Sequence, residues 1–260
     1  MKERNKPARG AEVRGEHMVQ KQDQLYEGKA KKLYSTDDPS AVIHEFKDDA
    51  TAFDGKKKGQ IAGKGSMNAR ISAALFTLLE NQGVRTHYRE LINDRTMLTD
   101  KLDMVPVEVV VRNIAAGSLS KRLGYDEGVP LKNTIVEFYY KRDDLGDPMI
   151  NEDHIAELGI ATKEQIKEMR ETGLKVNDVL VRFFDQLGLT LVDYKLEFGL
   201  KDGVMMLGDE LSPDNCRLWD KKTGEKMDKD RFRRDLGRVE EAYREVLARV
   251  TGTSKEGGNF

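Results

Sequence analysis

A single cysteine, Cys216, stands in 260 residues. No intramolecular disulfide can therefore staple the fold, and a secreted protein of this kind more often carries its cysteines in pairs. The cytoplasm is the default compartment. Long apolar runs are also missing: the most apolar stretch, Met104 to Val111, is short and interrupted by Pro106 and Glu108, and the opening MKERNKPARG has no apolar h-region. Nothing reads as a membrane span or a secretory signal. Charge of one sign is scarce as well, with 44 Lys and Arg against 46 Asp and Glu and a net charge of -2. That excludes a global field for nucleic acid or an anionic bilayer, so any bound anion must be gripped by a few placed cations.

Familiar catalytic motifs are absent too. The nearest approach to GxxxxGK[ST], Gly63-Lys64-Gly65-Ser66, has a glycine between lysine and serine and lacks the earlier glycine, which rules out a P-loop. GxGxxG fails because Asn68 stands where its last glycine belongs. His17, His44, His87 and His154 show no HxxxH or HExxH spacing, the lone cysteine argues against a zinc cluster, and no GxSxG supports a serine nucleophile. Internal repeats, low-complexity segments and a Pro/Ser linker are likewise missing, so two lobes, if present, share an interface.

What remains is a composition with 38% hydrophobic and 35% charged residues, that of a soluble globular chain with one large domain or two closely packed ones. Residues 1–22 are polar and unpatterned, and are expected to be mobile. Residues 1–17 read as an extension without a share in function, in which case a chain starting at Met18 keeps full activity. Leu25–Tyr34, with Gly28 inside it, and Ala41–Phe46 read as strands joined by tight turns. After Ser66 the apolar positions Met67, Ile71, Ala74, Leu75, Leu78 and Leu79 share a helical face, and Gly83 suits a left-handed cap. Strands are expected over 104–111, 134–140, 190–198 and 204–210. Thr162-Lys163-Glu164-Gln165 is a capping box for a long helix ending near Gly188, with Gly173 expected to break or bend it. An amphipathic helix is predicted from Lys229 to Val250. The order of elements gives an α+β architecture.

Four constellations could carry chemistry. The hairpin Leu25–Tyr34 sets Lys29, Ala30, Lys31 and Lys32 beside a glycine turn, where freed amides and ammonium groups suit a polyphosphate. Taken alone, its plainer reading is a surface hairpin kept soluble by lysines. In Val107–Arg122, a strand ends at Arg112, small residues follow, and Ser118 stands where a helix could begin. That is a phosphate or carboxylate site or an ordinary cap, and the two readings weigh equally. In the third, Val192, Tyr194, Leu196 and Phe198 share one strand face while Asp193, Lys195 and Glu197 share the other. With Lys201-Asp202-Gly203 as the turn, Leu200 pairs Val204 and Asp209 faces Lys195. Glu197 and Asp209 then become diagonal neighbours ~7–8 Å apart, close enough to hold magnesium with nucleotide phosphates. Met205, Leu207 and Leu211 fall on that face in this register. A solvated face with a Lys195–Asp209 ion pair is the alternative. Last, Ser212-Pro213-Asp214-Asn215 is a turn that could present Arg217 as an anion clamp.

Tyr26–Lys31, Lys101–Asn113, Ala116–Leu119, Lys195–Gly199, Gly208–Glu210, Ser212–Asp214, Arg217–Asp220 and Lys226–Phe232 together resemble the SAICAR synthetase family in its compact bacterial form. The resemblance runs from about Leu25 to Val250. It implies an ATP-grasp-like, two-lobe α+β fold with antiparallel sheets, and a ligase of purine biosynthesis. That ligase joins L-aspartate to the carboxylate of carboxyaminoimidazole ribotide (CAIR), releasing ADP and phosphate, through an acyl phosphate. By resemblance, Lys29-Ala30-Lys31 covers ATP, Met104 and Lys141 lie near the nucleotide, and Glu197 and Asp209 hold Mg2+. Arg112, Ser118 and Arg217 clamp the ribotide phosphate, with Asp214 on the substrate side. Lys195 lies close to the reacting carboxylate, and Asp54 and Lys64 help close the site over substrate or aspartate. The expected division is a disordered extension over 1–22, a nucleotide-binding lobe over 23–103, a larger lobe with metal and substrate sites over 104–250, and a flexible tail over 251–260. No nucleic acid or membrane partner is implied, and a homodimer is left open. Another ATP-grasp carboxylate–amine ligase and a non-catalytic nucleotide sensor remain as rivals.

Overall fold

Asp202 and Gly203 both adopt left-handed backbone, φ 51° and 78°, the combination a two-residue hairpin turn demands. The turn joins β11 (Leu189–Lys201) to β12 (Val204–Gly208) and pairs Lys201 with Val204 and Glu197 with Gly208. The expected three-residue turn is therefore shifted by one position. Leu207 and Met205 consequently pair with Phe198 and Leu200 and lie buried in the core, off the Glu197 face.

The computed structural model describes residues 19–52 and 56–252. The expectations for residues 1–17, for Asp54 and for the tail beyond Gly252 lie outside the described residues. The first sheet orders its five strands β1-β2-β3-β7-β6. These are β1 (Lys21–Glu27), β2 (Lys31–Thr36), β3 (Ala41–Phe46), β6 (Tyr88–Asn93) and β7 (Thr96–Asp100). β1 begins at Lys21, ahead of the boundary expected from composition, and Val19 already packs toward Ala41, Ile43 and Leu98. A separate ribbon pairs β4 (Asp49–Ala52) with β5 (Lys57–Gln60). The second, six-stranded sheet runs β10-β9-β8-β11-β12, with β13 (Cys216–Asp220) also on β11. Its remaining strands are β8 (Asp103–Ile114), β9 (Pro130–Tyr140) and β10 (Met149–Ile150). All pairings among named strands are antiparallel, so the α+β class with antiparallel sheets is as expected.

Six helices complete the described chain: α1 (Lys64–Asn81), α2 (Gly117–Leu123), α3 (Glu152–Leu158), α4 (Lys163–Gln186), α5 (Asp230–Arg233) and α6 (Val239–Val250). α1 starts two residues before Ser66, after left-handed Gly63. Gly65 N–H donates to Asp48 Oδ1 at 2.8 Å, and a Cβ on Gly65 would lie 2.5 Å from the Phe46 carbonyl oxygen. Only glycine lets the helix start that close to β3. The capping box at Thr162 forms as expected, Thr162 with Gln165. α4 then runs through Gly173 without a break. The glycine lies against Val109 and Val111, and Tyr194 Oη donates to its carbonyl at 2.9 Å. Its role is close packing of helix on sheet. The predicted helix from Lys229 to Val250 is split, because Asp235, Gly237 and Arg238 are left-handed. Arg231 satisfies the break by donating to the carbonyls of Leu236 and Gly237 at 3.4 and 2.7 Å.

One hydrophobic core joins both sheets. Phe46, Leu75 and Met97 from the first part belong to the same cluster as Val109, Phe184, Leu196 and Tyr243 from the second, and α6 packs along α1. Between the sheets the chain leaves a cleft.

Candidate active site

The cleft is possible because β11 and β12 carry glycines where another segment crosses them. A Cβ on Gly199 would lie 2.7 Å from Leu102 Cβ, and one on Gly208 would lie 3.3 Å from Leu102 Cδ1. With these positions bare, Leu102 and Met104 form one wall of a cavity of about 810 Å³, opposite Leu33, Val42 and the Gly28–Lys31 loop. That volume suits a nucleotide-sized ligand. The cavity is apolar toward Leu25, Leu33, Val42 and Met104 and charged toward Lys31, Lys141, Glu197 and Asp209.

Asp209 reaches this face by an unexpected route. Its strand partner would place it beyond Gly208, and strand alternation would turn it toward the core. Instead β12 ends and Asp209 takes a left-handed conformation, φ 60°, which re-aims the side chain. Its Oδ1 accepts from Lys31 Nζ at 2.5 Å, while Glu197 pairs with Lys141. Both carboxylates face the same cavity, though not as the diagonal pair that pairing Leu200 with Val204 implied. Lys195, expected opposite Asp209, donates instead to Glu108 at 2.7 Å.

Electrostatics follow from this burial. Glu197 has its pKa raised, first by burial and then by the charge of Asp209, with Lys141 and Lys31 offsetting part of the rise. Burial pushes Asp209 the same way, but Lys31 outweighs it and the carboxyl falls below its ordinary value. Burial opposes the charge on Lys31, and Asp209 and Glu210 overcome it. Behind them His44 and His87 meet edge to face, ring centres 5.3 Å apart, and burial keeps both rings neutral.

A second cavity, of about 590 Å³, adjoins the first. Glu108, Tyr139, Lys195, Asp214, Asn215 and Arg233 line both. Arg112, Ser118 and Arg217 converge on the second cavity as one group. Arg112 is buried, with Nε on Glu137 at 2.7 Å, Nη1 on Asp193 at 2.6 Å and Nη2 on Ser118 Oγ at 3.1 Å. Arg217 donates through Nη1 to the same Asp193 oxygen at 2.8 Å and through Nε to Asp230 at 3.0 Å. Gly117, φ 57°, brings the backbone before Ser118 against this guanidinium, where a Cβ would lie 2.6 Å from Arg217 Nη2.

The turn after β12 ties the cavities together. Ser212 Oγ donates to Glu210 at 2.7 Å and accepts from Asp214 N–H at 3.1 Å, and Asn215 returns its carbonyl to Lys195 N–H at 3.0 Å. Asp214 accepts from Lys64 Nζ and Tyr243 Oη, each at 2.7 Å. Lys64 is thus buried beneath Asp214 and outside the lining of both cavities. Lys29 and Ala30 border the first cavity, with Lys29 reaching Asp143 at 3.3 Å. Sequence reasoning missed Glu108, Tyr139, Glu137 and Lys229 as site residues. Lys229 carried a signal, since it falls inside the Lys226–Phe232 motif.

Fold and cleft define an α+β enzyme with two anion-handling chambers that share a wall. The family model for SAICAR synthetase matches residues 24–250. A phosphoribosylaminoimidazole-succinocarboxamide synthase of Desulfitobacterium hafniense (strain Y51) is 58% identical over 238 residues, 92% of this chain and 100% of the relative. Among solved structures, the synthase of the same name from Ehrlichia chaffeensis superposes with a TM-score of 0.86 at 44% identity, covering 88% of this chain and 98% of that one. A SAICAR synthetase solved in complex with ADP gives 0.85 at 51% identity, covering 90% and 99%. The chain belongs to the SAICAR synthetase family.

Proposed function

We propose that this chain is an ATP-dependent carbon–nitrogen ligase of purine biosynthesis. It joins L-aspartate to the carboxylate of CAIR, giving SAICAR, ADP and phosphate. The observation that carries the reading is the shared wall: a nucleotide-sized chamber with a lysine–carboxylate cluster opens onto a chamber ending in Arg217 and Ser118. The relatives' name and the ADP complex of a 51% identical structure support it, and family membership leaves the sensor reading without support.

The larger chamber takes ATP, with the base between Leu33, Val42 and Met104 and the phosphates toward Lys31 and Lys141. Lys29 and Ala30 form the loop over the nucleotide. Glu197 and Asp209 supply hard, partly buried carboxylate oxygens facing one cavity, a donor set that fits Mg2+ completed by phosphate oxygens. Bound there, Mg2+ would neutralise charge on the polyphosphate. Arg217, Ser118 and Arg112 take the ribotide phosphate. Asp214 and Lys195, on the shared wall, lie beside the reacting carboxylate. Lys64 acts from behind by holding Asp214.

A carboxylate is a poor electrophile for an amine. Attack of a CAIR carboxylate oxygen on the γ-phosphorus releases ADP and gives an acyl phosphate, whose carbonyl carbon the aspartate amine then attacks. Positioning and charge neutralisation drive such a transfer, in keeping with the absence of a nucleophilic Ser, Cys or His constellation. Among the described residues no helix is long and apolar enough to cross a membrane, and we assign the enzyme to the cytoplasm.

The test is ADP release with ATP, Mg2+ and CAIR, with and without L-aspartate, following SAICAR in parallel. ADP and SAICAR rising together only with aspartate is the expected result. ATP binding without turnover would refute the ligase reading.

A further inference from the structure

Four lysines face the larger chamber near its charged end, and three of them are closed on carboxylates: Lys31 on Asp209, Lys141 on Glu197 and Lys195 on Glu108. Lys229 differs. Its Nζ lies 3.7 Å from Asp214 Oδ2, an oxygen that Lys64 already occupies at 2.7 Å, while Tyr243 Oη fills Oδ1. Asp214 is thus matched by Lys64, and Lys229 is a surplus cation on its edge.

Other charges around Lys229 are also committed. Arg233, on α5, donates to Asp230 at 2.5 Å, and Glu210, after β12, accepts from Ser212 Oγ. Lys229 is anchored through its own N–H to the Pro213 carbonyl at 3.0 Å, and its side chain is 15% exposed. Asp214, Asn215 and Arg233, beside it, belong to the wall shared by both chambers. Burial lowers the Lys229 pKa first. Asp214 and Glu210 act the other way, Lys64 and Arg233 reinforce burial, and the balance lies below the ordinary lysine value. A lysine held this way is more readily a free amine than one in water.

We infer that Lys229 is the catalytic base that takes the proton from the ammonium group of the amino-acid substrate at the junction of the two chambers. The inference rests on the ligase reading above. L-Aspartate arrives with its nitrogen protonated and therefore without a lone pair. Lys229 Nζ, as a free amine, accepts one proton. The nitrogen then forms the C–N bond to the acyl carbon, the bond from that carbon to the phosphate oxygen breaks, and the second nitrogen proton leaves on the phosphate. Lys229 returns its proton to solvent.

The test compares Lys229→Gln and Lys229→Arg in the full chain, measuring SAICAR formation between pH 6 and 10 with aspartate, ATP and CAIR each varied. Both variants should lose about 10²-fold or more in kcat/KM for aspartate at pH 7, with KM for ATP unchanged. The deficit should shrink as pH approaches the pKa of aspartate's own amine, where solvent has already removed the proton. Arginine within about three-fold of wild type would overturn the inference, because it would show that charge suffices and proton transfer does not matter there. If neither variant folds, the wild-type profile decides. Log kcat/KM for aspartate should level off at an apparent pKa below that of free aspartate's amine, and a rise continuing unbroken to that pKa overturns the inference. Absence of SAICAR formation by wild type would instead refute the ligase reading and take this inference with it.

Discussion

Lys31 Nζ and Asp209 Oδ1 lie 2.5 Å apart with Lys31 buried in the wall of the cleft. The two residues are 178 positions apart in sequence, one on the first sheet and one at the end of the second. Their pair joins the sheets at the point where the carboxylates of Glu197 and Asp209 face each other.

Lys31→Met should therefore cost both stability and turnover. Removing one partner of a buried pair typically costs about 3–5 kcal/mol, and here only Lys141, paired with Glu197, would remain to offset the repulsion between Asp209 and Glu197. A thermal melt should show a lower midpoint, and ATP turnover should fall by at least tenfold. Adding Asp209→Asn to the variant should recover much of the stability but not turnover, which separates the structural role from the chemical one.

Gly117→Ala acts on the second cavity, the one proposed to take the ribotide, and not on the larger one. The new Cβ would lie 2.6 Å from Arg217 Nη2, on a backbone whose φ of 57° already disfavours alanine. KM for CAIR should rise about tenfold or more, equivalent to roughly 1.4 kcal/mol, while KM for ATP stays within a factor of two or so. An equal rise for both substrates would show that Arg217 does not serve the ribotide side separately.

Tyr194→Phe tests packing without touching chemistry. The buried hydroxyl donates to the Gly173 carbonyl at 2.9 Å, and its loss leaves that carbonyl without this donor. A stability loss of about 1–3 kcal/mol is expected, read by denaturant titration, with turnover unchanged.

Asp228 predicts a pH dependence. Burial, then the charge of Asp230, raises its pKa from 3.8 to about 7. The folded state thus holds this proton more tightly than the unfolded state. The stability it contributes is full below pH 3.8, falls as pH rises, and is gone above about 7. Asp228→Asn cannot ionise, so its penalty relative to wild type should shrink between pH 5 and 8, as measured by paired melts. A constant difference across that range would contradict the assignment.

Features set by neighbours in sequence were legible. Thr162 and Gln165 are three residues apart, and the capping box they form needs no tertiary information. The β11–β12 register was off by one because the turn keeps only Asp202 and Gly203, and one residue of difference moves Leu207 from one face to the other. The break before α6 was hidden because Phe232 and Leu236 continue a helical period, while the bonds by which Arg231 satisfies the Leu236 and Gly237 carbonyls form only once the chain has turned. In the site, strand alternation marked Asp193, Lys195 and Glu197 as facing together. Partners that only folding brings near, such as Lys31 to Asp209 or Lys64 to Asp214, left no trace in spacing.

The packing of α6 along α1 also bears on biosynthesis of the chain itself. Tyr243, Val246 and Val250 complete a core begun by Ile71 and Leu75, so α1 waits for α6 to emerge from the ribosome. Until Val250 is clear of the exit tunnel, the nascent protein holds one face of α1 uncovered. This enzyme can therefore finish folding only after α6 has been made and has docked on α1.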